Sequence, residues 1–224
     1  MKRQFFIIQA RMTSTRLPKK VMIPLFEEMG ALEIFIKRLW KIKEDLIIAT
    51  TDDESSFPII KLCKRLGIKY FLGSTENVLE RYYKCAIKYK VAPDDDIIRI
   101  CSDSPCIDIT IIEKVINFYH NHKFDYVTND TKDGTPKGLN IEIFSFKQLK
   151  KAFYYSKTNF EKEHVTPYIK NNFNIGYYIH PFNHSYTLTL DTKEDLIYLT
   201  KLFKLIGKIT FTYDELISGI KDIG

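Results

Sequence analysis

Glycine and proline are scarce in this 224-residue chain, at nine and eight residues, and tryptophan occurs once. A collagen-like, low-complexity or linker-rich protein is thereby excluded. Cysteine is rare too. The four present, Cys63, Cys85, Cys101 and Cys106, contain no C-x-x-C pair, and their spacing predicts reduced thiols instead of a disulfide framework or a zinc site. No uninterrupted apolar run approaches the roughly 20 residues that span a bilayer. The basic start Met1-Lys2-Arg3 leads only to Phe5-Phe6-Ile7-Ile8 before Gln9, too short for the core of a secretion signal. The expectation is a cytoplasmic protein without a membrane partner. Arginine is missing altogether beyond Arg99, and only seven of the 34 basic residues are arginine. In a chain that otherwise uses lysine, an arginine suits places where flat, two-pronged contact with an oxyanion matters. Arg11 and Arg16 fall in one loop.

Hydrophobic residues make up 45% of the chain, with 16 Phe and 14 Tyr, enough to fill a large buried core. The net charge of +6 suits anionic partners in general. Without a basic block it falls short of a nucleic-acid signature, and no nucleic-acid partner is expected.

Short apolar runs at Arg3 to Gln9, Leu46 to Thr51, Ile68 to Phe71 and Ile97 to Cys101 read as buried strands. Between them, Gly30 to Ile42, Ser55 to Leu66 and Glu76 to Lys90 carry helical spacing, the first with an apolar face of Leu32, Ile36, Leu39 and Trp40. Strand and helix in alternation predict an α/β fold with a mostly parallel sheet covered on both faces. A helix at Ile109 to His120 and a strand at Asp125 to Asn129 precede a polar stretch, Asp130 to Lys137. Beyond it, Leu139 to Phe144, Ile175 to Ile179 and Tyr186 to Leu190 read as strands. Helices are expected near Ser145 to Ser156, Phe160 to Asn172, Lys193 to Ile206 and Tyr213 to Ile220. With no repeat and no linker, residues 1–224 read as one domain with a subregion at about 130–185.

The loop after the first strand is Gln9-Ala10-Arg11-Met12-Thr13-Ser14-Thr15-Arg16-Leu17-Pro18-Lys19-Lys20-Val21. Open α/β sheets bind ligands at the carboxyl ends of their strands, which is where this loop falls. Four cationic side chains and three hydroxyls lie between Arg11 and Lys20, donors of the kind a triphosphate needs. A solvated basic surface loop accounts for the same residues. Neither G-x-x-x-x-G-K-[ST] nor G-x-G-x-x-G is present, which argues against P-loop and dinucleotide folds.

Asp103, in Cys101-Ser102-Asp103-Ser104-Pro105, lies just past the fourth strand, and Asp191 follows Tyr186 to Leu190. If those two strands are neighbours in one sheet, the two carboxylates converge on the cleft beside the cationic loop. Such a pair suits Mg²⁺, which takes one or two carboxylates together with substrate phosphates and waters. Asp191 also stands before Thr192 and Asp195, a capping-box arrangement, and Asp108 reads as a plain N-cap. A Ser or Thr cap accounts for Gly73-Ser74-Thr75-Glu76. Arg81 suits either a surface ion pair or a ligand contact. Arg99, inside an apolar strand, calls for an acidic neighbour. Thr158 and Glu161 form a capping box, and His120, His122, His180 and His184 have no metal-ligand spacing and read as surface residues. Phe153-Tyr154-Tyr155 and Tyr177-Tyr178 read as core or dimer contacts.

The run Ile8-Gln9-Ala10-Arg11-Met12 with Ser14-Thr15-Arg16-Leu17-Pro18 and Lys20-Val21 resembles the signature of sugar-acid cytidylyltransferases (acylneuraminate and Kdo cytidylyltransferase-like), in the branch typified by SpsF. The resemblance continues through Phe71-Leu72-Gly73-Ser74 with Asn77-Val78-Leu79-Glu80-Arg81-Tyr82, Arg99 with Ser102-Asp103-Ser104-Pro105, Glu163-His164-Val165-Thr166-Pro167-Tyr168, and Leu190-Asp191-Thr192 with Glu194-Asp195. Lys19 stands where many relatives have glycine. The resemblance implies a Rossmann-like three-layer α/β/α nucleotidyltransferase fold with a small dimerisation subregion, hence a homodimer. It implies CTP and a small acidic acceptor as substrates, with Mg²⁺ on Asp103 and Asp191. Ala10, Arg11, Met12, Ser14, Arg16 and Lys20 would line the nucleotide site with Ser74, Asn77 and Asp103. Of these, Arg11, Arg16, Lys20 and Asp103 would carry the chemistry. Asn140, Glu142, Glu163 and His164 would face the acceptor. Two alternatives stand beside it: a nucleotide-sugar-dependent glycosyltransferase of similar topology, and a catalytically silent nucleotide-binding protein.

Overall fold

The computed structural model of the chain describes residues 2–131, 134–180 and 186–223. Strand β1 (Gln4–Gln9) is followed by a hairpin of β2 (Pro24–Phe26) and β3 (Met29–Gly30), then helix α1 (Ala31–Arg38). Next come β4 (Leu46–Thr51), α2 (Phe57–Leu66), β5 (Lys69–Gly73), α3 (Val78–Lys88), β6 (Asp96–Cys101) and α4 (Ile109–Asn121). The rest comprises β7 (Tyr126–Thr128), β8 (Glu142–Ser145), α5 (Phe146–Tyr155), α6 (Asn159–His164), α7 (Pro167–Asn172), β9 (Ile175–Tyr177), α8 (Lys193–Ile206) and α9 (Tyr213–Ile223).

Seven strands form one sheet in the order β5-β4-β1-β6-β8-β7-β9. Only β8 runs against its neighbours, so the sheet is mostly parallel. Every residue of β4 is buried, the mark of a strand covered on both faces. Alternate side chains go to opposite sides. Phe6 and Ile8 join a core with Ile34, Ile112 and Leu199, whereas Ile7 joins Leu79, Tyr82 and Leu149 on the other face. Helices α1, α4 and α8 therefore cover one side and α3 and α5 the other, giving the expected α/β/α layers. With β1 between β4 and β6, the loops leaving these three strands open onto one edge.

The structure corrects several sequence expectations. Tyr186 to Leu190 forms no strand of the sheet, because both edges of β6 are already taken, by β1 and β8. That segment keeps its alternation, with Leu188 and Leu190 buried. It is tied instead by one parallel bridge to Lys137, with Lys137 N donating to Tyr186 O at 3.0 Å and Leu188 N to Lys137 O at 2.7 Å, and by Leu190 N to Asp103 O at 2.8 Å. The strand expected from Leu139 starts only at Glu142. Before it, the Asn129 side chain takes the place of a ladder, donating to Leu139 O at 2.9 Å and accepting from Ile141 N at 2.7 Å. The helix expected over Phe160 to Asn172 is broken at Val165, whose φ is 69°, and α7 restarts with Pro167 in its first turn. Trp40 leaves the apolar face of α1 and lies 43% exposed, with the Lys43 ammonium 4.7 Å from its ring centre.

His120 and His122 are exposed and His180 half-buried, while His184 lies outside the described residues. All four cysteines are free, and burial pushes the Cys101 thiol up to about 11 and the other three up to about 12. Among the described residues, no helix is long and apolar enough to cross a membrane.

Candidate active site

Apolar residues anchor the loop after β1 from beneath: Met12, Leu17 and Val21 are buried in the core. Beside them, Arg11, Ser14, Thr15, Arg16 and Lys20 line a cleft of about 380 Å³. Backbone bonds pin the loop, Lys19 N donating to Met12 O at 2.8 Å and Met22 N to Lys19 O at 2.9 Å. Lys19 itself is left-handed, φ 62°, the conformation that glycine adopts without cost. Behind the turn, a Cβ on Gly30 would come within 2.9 Å of the Met22 carbonyl, so a residue without a side chain is needed there.

Asp103 and Asp191 converge although their segments are not neighbouring strands. Lys20 Nζ donates to Asp103 Oδ2 at 2.5 Å and to Asp191 Oδ1 at 2.8 Å, and Arg16 Nη2 meets Asp191 Oδ1 at 2.8 Å. Burial works against the Lys20 ammonium, yet the two carboxylates outweigh it and its pKa is raised. The capping box of α8 is made by Thr192 and Asp195, which leaves the Asp191 carboxylate to the cleft. Asp108 caps α4 and Thr158 with Glu161 caps α6, as read from the sequence.

Asp103 Oδ1 is buried without a partner, and its fellow oxygen already shares one ammonium with Asp191. A hard cation that accepts one or two carboxylates and completes its shell with phosphate oxygens and water fits this pair. Among the described residues no cluster of three His, Cys, Asp or Glu side chains supplies a fuller cage.

Other expected nucleotide contacts divide. Ala10 lines the cleft; Met12, Ser74 and Asn77 do not. Asn77, not a Ser or Thr, caps α3, its Oδ1 accepting from Glu80 N at 2.9 Å, and Ser74 Oγ accepts from Asn77 N at 3.0 Å. Arg81 is no surface residue: it is 1% exposed, lines the cleft, and donates from Nη1 to Ser74 O at 2.6 Å. The signal was legible, since Val78, Tyr82 and Cys85 share the buried side of α3 with Arg81.

Beside this cleft lies a second one of about 550 Å³, sharing Arg99, Cys101 and His164 with it and including Asn140, Glu142, Thr166 and Lys170. Glu163 and His164 border the first cleft. Glu142 is the hub of the second. It pairs with Arg99 Nη1 and Lys170 Nζ, the latter at 3.0 Å, and accepts from Tyr126 Oη at 2.5 Å and Thr166 Oγ1 at 2.7 Å. Burial would raise its pKa, but Arg99, Lys170 and the two hydroxyls hold it down to about 2. Arg99 thus has the acidic neighbour its burial requires. Glu142 is saturated by protein, so Lys170, absent from the sequence expectations, is the more available charge on that wall. Asn140 Nδ2 donates to Asp130 Oδ1 at 2.9 Å.

Residues 5–214 match the cytidylyltransferase family. The chain is 38% identical over 212 residues to the uncharacterized protein MJ1063 of Methanocaldococcus jannaschii, covering 90% of this chain and 84% of that one. It is 32% identical over 220 residues to the spore coat polysaccharide biosynthesis protein SpsF of Bacillus subtilis, covering 91% and 87%. The solved cytidylyltransferase of Leptospira borgpetersenii superposes with a TM-score of 0.92 at 30% identity, over 100% of this chain and 95% of that one. A cationic loop after β1, facing two aspartates across the carboxyl edge of a parallel sheet, is thus set in a chain that belongs to the cytidylyltransferase family of nucleotidyltransferases.

Proposed function

We propose that the protein is a Mg²⁺-dependent cytidylyltransferase that moves CMP from CTP to an acidic sugar or a related acceptor, releasing pyrophosphate, in the biosynthesis of a surface polysaccharide. The observation that carries the reading is the Lys20 ammonium drawn between Asp103 and Asp191 within a cleft that Arg11 and Arg16 also line. The acceptor oxygen attacks the α-phosphorus in line, the bond to the bridging oxygen breaks, and pyrophosphate leaves. Arg11, Arg16 and Lys20 take up charge on the phosphates, so positioning and electrostatics do the work without a protein nucleophile. Asp103 and Asp191 would hold Mg²⁺, which supplies further charge neutralisation on the phosphates.

The adjoining cleft supports an acceptor site. It offers an acceptor the cations Arg99 and Lys170 beside the carboxylates of Glu142 and Asp130, with Asn140 and His164 adding polar contacts at its border; the acidity of the acceptor rests on the family likeness. The name of the SpsF relative supports the polysaccharide setting. A homodimer is part of the proposal: Tyr154, Tyr155, Phe160, Tyr177 and Ile179, all within 130–185, are exposed, and gel filtration at a dimer mass tests it.

The decisive experiment is a coupled pyrophosphate assay with CTP and Mg²⁺ across a panel of sugar acids, with UDP-sugars as a control. Pyrophosphate release with CTP and one acid is the expected result. Release of a nucleoside diphosphate from a UDP-sugar overturns it in favour of glycosyl transfer; nucleotide thermal shifts without turnover leave a silent nucleotide-binding protein, and no shift with any nucleotide leaves a scaffold.

A further inference from the structure

Among the cations of the first cleft, two groups differ in what neutralises them. Lys20 and Arg16 are matched by Asp103 and Asp191. Arg11 and Arg81 are not: among the described residues neither pairs with a carboxylate, and both line the cleft. Arg81 is 1% exposed. Among the described residues its one side-chain hydrogen bond joins Nη1 to the Ser74 carbonyl, and Nε is buried without a partner.

A buried charge without a counter-ion is expensive. Burial above all pushes the Arg81 pKa down, and the nearby Arg11 guanidinium adds to this by repulsion, while Tyr82 and the Asp52 carboxylate, which makes no ion pair with it, offset only part. With Nη1 anchored, Arg81 has Nε and Nη2 left over, the two donors on one edge of the guanidinium. That edge matches two oxygens of one phosphoryl group. A nucleobase edge carries no net charge and would leave both guanidiniums uncompensated, whereas a phosphate relieves the desolvation and the repulsion together.

We propose that Arg81 is a buried phosphate-binding residue which, with Arg11, holds the phosphate chain of the nucleotide. This rests on the reading of the cleft as a nucleoside triphosphate site. It assigns the polyphosphate two distinct groups of cations, one already compensated by aspartates and one waiting for an anion.

Isothermal titration of the whole protein with inorganic tripolyphosphate, with cytidine and with CTP plus Mg²⁺ tests it on the wild type, Arg81→Gln and Arg81→Lys. The glutamine variant should bind tripolyphosphate and CTP about 10- to 100-fold more weakly, the range for charge-assisted hydrogen bonds, with cytidine affinity within twofold. Unchanged tripolyphosphate binding, with or without a loss of cytidine binding, overturns the proposal. Should Arg81→Gln fail to fold, Arg81→Lys decides: its ammonium keeps the charge but not the fork, so about tenfold weaker tripolyphosphate binding is expected, and wild-type affinity overturns the proposal. A wild type that binds neither CTP nor tripolyphosphate sinks the triphosphate reading and this inference together. One that binds tripolyphosphate through Arg81 but prefers another nucleotide supports the inference and removes only the cytosine preference.

Discussion

Two ion clusters border the adjoining clefts and are built in opposite ways. Around Lys20, two cations and two carboxylates share three contacts, the Arg16 side chain is 64% exposed, and one oxygen of Asp103 is left unpaired. Around Glu142, a carboxylate whose side chain is 8% exposed is closed in by two cations and two hydroxyls. Charges that must change partners when a ligand arrives are held by few, shared bonds. Charges that hold a wall in place are saturated, because an unpaired lone pair in a buried site costs more than the pairing gains.

The contrast predicts that the saturated cluster matters most to stability. Glu142→Gln keeps the shape but leaves Arg99 and Lys170 facing an uncharged amide, and breaking a buried pair of this kind costs about 3–5 kcal/mol. Thermal melts should fall by roughly 6–20 °C for a chain of this size. A melt within 2 °C of the wild type would break the comparison.

The cluster around Lys20 should answer the other way. Asp103→Asn is expected to cost on the order of 10² to 10³ in turnover, by analogy with lost charge-stabilising contacts, with the melting temperature within about 2 °C. A large drop in melting temperature would show that this cluster, too, is a scaffold.

Acid separates the two clusters more finely. Glu142 ionises at about 2 in the folded protein against an ordinary 4.5, so its contribution is fully present above pH 4.5 and is lost as pH falls towards 2. A shift of that size corresponds to about 3 kcal/mol. Urea melts of the wild type between pH 5 and pH 2.5 should lose that stability progressively, and Glu142→Gln should lack this part of the slope. Identical slopes would assign acid sensitivity elsewhere.

Much of this architecture was legible because local and global signals agree. Leu46–Thr51 opens on four apolar residues, is buried throughout and lies between β5 and β1; Lys193–Ile206 opens on a capping box and closes before Gly207. Tyr186 to Leu190 misled because alternation reports a buried face, not a free strand edge, and β6 had none to offer. The hairpin of β2 and β3 escaped notice because its turn, Glu27-Glu28, carries no Asn-Gly or Asp-Gly signal and its strands are three and two residues long. At the site, the motif around Arg11 and the paired aspartates could be read ahead of the structure. The saturation of Glu142 could not, since its partners come from three separate segments: Arg99 from β6, Tyr126 from β7, and Thr166 with Lys170 from the start of α7.

The smallest effect concerns the turn that delivers Lys20 to the aspartates. Lys19 is held at φ 62° and ψ 14°, a conformation that costs a residue with a Cβ about 1–2 kcal/mol. Glycine removes that cost but gives back part of it through the greater freedom of the unfolded chain. Lys19→Gly should therefore gain a net of roughly 0.5–1 kcal/mol, a rise of about 1–4 °C in melting temperature. Because the turn is kept, turnover should stay within about twofold. Lys19→Val retains the bonds to Met12 and Met22 only by forcing a β-branched residue into the left-handed region, so it should lower both the melting temperature and turnover. Equal activity in the glycine and valine variants would mean that Lys20 reaches Asp103 and Asp191 without help from this turn, and that the compensated cluster depends less on its loop than the backbone bonds imply.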